Sequence, residues 1–208
     1  MTGTSSDLTG VEVDHGSWER EDLSGRVFTD CVFRDLDLTE VHGNGVTFTG
    51  CTFVDVDLNA SAFTDAAFVS CTFTRCAFFG ARFTGCKLTG TTFERCRFGA
   101  FTVLGGNWSF VALPAADLRK VTFVDVSLRE ADLNGAKLAD ATLHRVDLGG
   151  AWLRQADLTG ADLRGSDLTG LDPRTVTLTR AVVDPHQAVL VAEALGLVVS
   201  TEPAPEAP

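Results

Sequence analysis

The sequence predicts an all-β fold, a right-handed quadrilateral parallel β-helix ended by a short C-terminal α-helix. Three observations carry this expectation: a hydrophobic period of five that never loses phase, a second column of small residues two positions earlier, and one capped helical stretch where the period stops. Every fifth residue from Leu8 to Val183 gives 36 positions, of which 17 are Leu, 12 Phe, 3 Val and 2 Trp, and only Gly43 and Pro173 interrupt. Chance would place about 16 apolar residues there at this composition. The column from Ser6 to Ala181 holds Ala, Val or Cys at 25 of its 36 places.

A period of five scatters around an α-helix and does not match the two-residue alternation of a flat strand. Two apolar residues flanking one polar residue do fit a short extended segment with both side chains inward. The remaining two residues turn a corner, often with Gly last, as at Gly80, Gly85, Gly90, Gly160, Gly165 and Gly170. Four such sides close a coil of twenty residues, and coils stack at about 4.8 Å. Residues 8–183 then form nine coils and a rod of roughly 40 Å, with no loop inserted. Phe dominates the central column as far as Phe98 and Leu dominates from Leu113, so 99–115 is the expected seam. There Phe101 takes a small-residue place and Phe110 points outward. The composition of 15 Phe and no Tyr fits rings buried without hydrogen-bond partners.

The remaining boundaries follow from the ends. Residues 1–7 are expected to be a flexible N-terminus, 184–199 a helix and dimerisation segment, and 200–208 a disordered tail of acidic, proline-rich composition. Asp184 reads as an N-cap, Pro185 as the first helical residue, Gln187 as the closing residue of a capping box and Gly196 as the stop. Val189, Leu190, Val191, Leu195, Leu197 and Val199 exceed what one capping helix can hide, which predicts a two-fold homodimer through this segment.

The charge of −11 excludes a nucleic-acid or anionic-membrane binder and favours basic partners. No apolar run approaches a membrane span, and the first residues lack the basic and apolar regions of a signal peptide, so the expected location is cytoplasmic. All six cysteines fall in the small column. Cys31, Cys51 and Cys71 stack at twenty-residue intervals, close enough for a disulfide, but small apolar fillers kept reduced in a cytosol are the preferred reading. His15, His42, His144 and His186 follow no catalytic or metal-ligand spacing, and a filled rod offers no concave site. A binding protein without cofactor, metal or catalytic residues is expected.

The repeat, clearest in ADLTGADLRGSDLTG at 156–170, resembles the pentapeptide repeat family over nearly the whole chain. VLGGN at 103–107, the uninterrupted coils and the ending VDPHQAVLVAEALGLVV at 183–199 resemble its fluoroquinolone-resistance branch, the mycobacterial MfpA type more than the Qnr type. That resemblance implies a dimeric rod that mimics DNA, binds DNA gyrase as a topoisomerase inhibitor, and protects it from fluoroquinolones or natural gyrase poisons. A generic repeat scaffold for another protein partner is the alternative.

The geometry picks one candidate surface. Asp37, Asp57, Asp117 and Asp157 share an outward column, flanked by Asp35 and Asp55, with Arg75, Arg95 and Arg97 between. Asp before Leu is also simply the repeat's preferred residue. Phe110 and Trp152, with Phe79, are expected to be exposed aromatics and possible anchors.

Overall fold

A computed structural model describes residues 7–200; residues 1–6 and 201–208, most of the two expected terminal segments, lie outside them. Asp7 already belongs to the rod, its carboxylate accepting the Val27 N–H at 2.9 Å. The β-helix is the fold the repeat predicts. Its first face carries the strands Leu8–Thr9, Val27–Thr29, Thr47–Thr49 and Ala67–Val69, continued by single bridges to Asp167. The second runs from Glu12–Ser17 through Thr92–Glu94 and by bridges to Trp152. The third runs from His42–Asn44 through Thr142–His144 to Val182. The fourth is made of bridges, Asp37 to Asp57 to Ala77 to Arg97, then Asp117 to Lys137 to Asp157 to Thr177. Partners differ by twenty residues throughout, from Leu8 with Phe28 to Asp162 with Val182.

The large column fills the axis. Phe28 stacks on Phe48 at 4.7 Å and Phe53 on Phe73 at 4.4 Å between ring centroids, because residues twenty apart present the same rotamer to the same neighbour. Gly43, one of the two interruptions, is required: a Cβ there would lie 2.7 Å from Val46 Cγ1 and 2.8 Å from Phe63 Cδ1. The Phe63 ring occupies the space a larger residue would fill.

Corner geometry is less dependent on glycine than the sequence suggests. The last residue of the five takes positive φ whether or not it is Gly. Ala60, Ala100, Ala115 and Phe110 hold φ between 53° and 60°. Left-handed backbone costs an L-residue about 1 kcal/mol, so the stacked ladder imposes the corner on residues that would not choose it alone.

The ladder fails in two places. Between 95–100 and 114–120 on the fourth face, Arg95, Phe98, Ala100 and Asp117 lack the main-chain bonds their equivalents make elsewhere. This is the predicted seam. Phe101, fully buried in a place built for Ala, Val or Cys, and Trp108 widen the aromatic coil just below the narrower one of Leu113 and Leu118. On the second face Pro173 displaces the chain, so that the Gln155 N–H reaches Thr175 O at 2.7 Å instead of the regular partner. The phase recovers at Thr177, whose N–H donates to Ala156 O.

The six thiols are free. Each donates to a carbonyl of the coil below, as Cys51 Sγ to Phe28 O at 3.4 Å, and burial pushes the Cys86 thiol up to about 11. They fill space in the small column, packed into the same core as the rings.

The C-terminal helix is Pro185–Ala194, with the capping box of Asp184 and Gln187 as expected. Gln187 does more than cap. It is buried, and its Nε2 donates to Leu163 O at 2.6 Å and Ser166 O at 2.8 Å, satisfying carbonyls of the last coil. Val191 packs on the same end of the core.

Candidate partner-binding surface

Asp sits before Leu for a local reason. The carboxylates of Asp37, Asp132, Asp157 and Asp167 each accept the N–H two residues on, at 2.8–3.0 Å. This Asx turn starts each corner, so the residue preference is set by folding before any partner is considered.

The six acids of the candidate column differ once their contacts are known. Asp55 accepts two bonds from the Nε and Nη2 edge of the Arg75 guanidinium, at 2.7 and 2.5 Å, and Asp117 the same two from Arg119, at 2.8 and 2.5 Å. Those guanidinium bonds hold both carboxyls below the usual range. Exposed pairs of this kind add little stability, but they cancel the charge a partner would feel. Asp35 lies 3.7 Å from His15 Nδ1, in an exposed group with Asp14 whose ligand atoms fall within 4.8 Å of one another. Asp37 and Asp157 make only their turn bonds, and Asp57 makes no side-chain hydrogen bond or ion pair among the described residues. Asp35, Asp37, Asp55 and Asp57 are brought together on adjacent coils. Asp117 and Asp157 stand far along the rod beyond Arg97, with Lys137 between them.

The aromatics are exposed as expected, Phe79 at 65 %, Trp152 at 62 % and Phe110 at 54 %. They do not join the acidic column. Trp152 is on the second face, where it lines an approximately 650 Å³ groove opened by the Pro173 distortion, together with Arg154, Asp172 and Thr175. The Phe79 ring lies over Gly99 of the next coil, 2.7 Å from where a Cβ would stand.

A separate carboxylate carries a pH prediction. The Arg164 guanidinium, at 2.6 and 2.8 Å, and His144 Nε2, at 2.9 Å, hold Asp162 well below the usual carboxylate range. Its contribution to stability is complete above the unfolded value near 4 and is lost as pH falls below it. Asp162→Asn should therefore flatten the acid limb of a stability–pH curve and leave it unchanged relative to its own baseline above about pH 5. An acid limb of the same slope in both proteins would refute this.

Repeat, coil and column together match known sequences. A model described as a pentapeptide repeat region matches residues 76–153, and one for pentapeptide repeats in eight copies matches 22–65 and 141–180. The chain belongs to the pentapeptide repeat family. No curated protein sequence matches it. Among solved structures, this pentapeptide repeat protein is similar to a trypsin-treated QnrB1, described as a plasmid-mediated fluoroquinolone resistance protein. The identity is 24 %, with 94 % of this chain and 98 % of that one covered and a TM-score of 0.60. Full-length QnrB1 gives 24 % identity, 92 % and 100 % coverage and a TM-score of 0.53. At such identity the likeness is one of fold. No helix among the described residues is long and apolar enough to cross a membrane.

Proposed function

We propose that this pentapeptide repeat protein binds DNA gyrase in the cytoplasm as a DNA mimic, modulates its activity and protects it from fluoroquinolones or natural gyrase poisons. The observation that carries this reading is the charge of the N-terminal third. Residues 7–60 hold 12 acids and 3 bases, a net of −9, along about 2.7 coils or roughly 13 Å. That is about one charge per 1.4 Å, against about 1.7 Å in duplex DNA. The rest of the rod is close to neutral, so the mimicry belongs to the end that carries Asp35, Asp37 and Asp57. The uninterrupted rod and the fold shared with QnrB1 support the same reading. The compensated charges at Asp55 and Asp117 favour the alternative, a scaffold for a different protein. A gyrase supercoiling assay with purified protein, with and without ciprofloxacin, separates them. Inhibition or drug protection is expected; neither effect on gyrase from the same organism would leave the scaffold reading.

The same reading includes a homodimer joined through the C-terminal segment. Leu195, Leu197 and Val199 are 52 %, 61 % and 44 % exposed, while Val191 is already committed to its own core and Val189 and Leu190 are half-buried. Leu195→Arg combined with Leu197→Arg should convert a dimer into a folded monomer by light scattering. The same mass for both proteins would refute the interface.

A further inference from the structure

We propose that Cys96 and Cys76 are a site of reversible oxidation, in which a hydroperoxide oxidises the Cys96 thiol and Cys76 then closes a disulfide with it across two adjacent coils. The two residues stand twenty apart in the small column, and their coils are bonded on both sides of the pair. The Arg75 N–H donates to Glu94 O at 2.9 Å, the Arg97 N–H to Cys76 O at 3.0 Å and the Phe78 N–H to Arg97 O at 2.8 Å. Strands stacked in this way stand about 4.8 Å apart, inside the Cα separation of about 4.4–6.8 Å that a disulfide spans. Toward the next coil Cys96 is held less firmly. Across the stretched rung between 95–100 and 114–120, the N–H groups of Arg95, Phe98, Ala100 and Asp117 make no main-chain bond among the described residues. The segment around Cys96 is therefore tied to the coil of Cys76 and is free to tilt toward it.

Access and spacing single out this pair among the six thiols. Cys96 is the one cysteine that is not fully buried, and it lines both cavities, of about 480 and 280 Å³, that open beside the stretched rung. Cys31, Cys51 and Cys71 also stack at twenty-residue intervals, but they are at most 1 % exposed, which shields them from an oxidant in solution. Cys86 has Ala66 and Gly106 as its neighbours in the column and no thiol to close on. The hydrogen bond with Cys76 holds the Cys96 thiol below its ordinary range and pushes that of Cys76 up, while burial opposes ionisation at both. The reactive thiolate thus belongs to the accessible member. Its sulfur attacks one oxygen of hydrogen peroxide, the O–O bond breaks, and Cys96 becomes a sulfenic acid as a first water leaves. The Cys76 sulfur then attacks the Cys96 sulfur, the S–O bond breaks, and the hydroxyl departs with the Cys76 proton as a second water. Two thiols are oxidised to one disulfide and one peroxide is reduced to two waters.

The test adds hydrogen peroxide to the reduced, folded full chain, blocks the remaining thiols and maps the product by peptide mass spectrometry. A bridge between Cys76 and Cys96 is expected, with the protein lighter by two hydrogens, a raised denaturation midpoint and full reversal by a dithiol. Before oxidation, iodoacetamide should label Cys96 faster than any other thiol by about tenfold or more. Cys76→Ala, a residue the column holds elsewhere, should stop the reaction at a Cys96 sulfenic acid that dimedone traps, and Cys51→Ala should leave the bridge unchanged. Four results overturn the proposal: no bridge in folded protein at excess peroxide, a bridge among Cys31, Cys51 and Cys71 instead, a bridge between Cys96 residues of two copies, or equal labelling of all six thiols. Should Cys76→Ala not fold, Cys96→Ala supplies the second arm. It should keep all its thiols under the same treatment, and a loss of two hydrogens there would also overturn the assignment.

Discussion

Phe73→Ala should lower the unfolding free energy by about 3–5 kcal/mol, the usual cost of truncating a fully buried ring. Phe73 is fully buried, stacked on Phe53 at 4.4 Å and on Phe93 at 5.1 Å, with Phe78 edge-on at 5.3 Å. Coils above and below hold these rings by the ladder, so the walls cannot collapse into the gap, and the effect belongs at the upper end of the range. Because each coil touches only its neighbours, protection from hydrogen exchange should fall first around residues 53–93. Phe79→Ala is the matched control, since that ring is mostly exposed, and should cost less than about 1 kcal/mol. Chemical denaturation measures both. An unchanged midpoint for Phe73→Ala would mean that the register of the core is misassigned.

Reversal of Asp37 and Asp57 to Lys should raise the concentration of protein needed to inhibit gyrase by tenfold or more. The change takes the N-terminal third from −9 to about −5, a density no longer close to that of DNA. Both side chains point outward and neither makes an ion pair, so the melting temperature should hold to within a few degrees. Reversal of Asp117 and Asp157 is the informative comparison. Asp117 is already neutralised by Arg119 and Asp157 stands beside Lys137, so the effect there should be small. Raised salt should weaken the unmodified protein's inhibition, since exposed charges are screened over about 10 Å at 0.1 M. Equal losses for the two pairs would place the contact along the whole column; no loss for either would remove the column from the interface and leave Phe110 and Trp152 as anchors.

The sequence by itself determined the coil. A column of 34 apolar residues in 36 places cannot be satisfied by a helix or a flat sheet, and an unbroken phase leaves no room for a loop. It also determined the Asp184 and Gln187 cap, the outward position of Phe79, Phe110 and Trp152, and the address of the seam, because each follows from local spacing or from residue volume along one column. Only the tertiary structure decided which charges are free. Asp37 and Asp117 look alike in the repeat, but Arg119 folds back on one and nothing does so on the other; an arginine's reach is a side-chain choice that no period encodes. Nor does spacing alone reveal that Gln187 satisfies Leu163 O and Ser166 O, that Phe63 requires Gly43, or that the ladder opens between Arg97 and Asp117. These depend on what two coils do when stacked. An aromatic layer meets a leucine layer, and the ladder between them opens on the fourth face, where the bridge from Arg97 to Asp117 is missing.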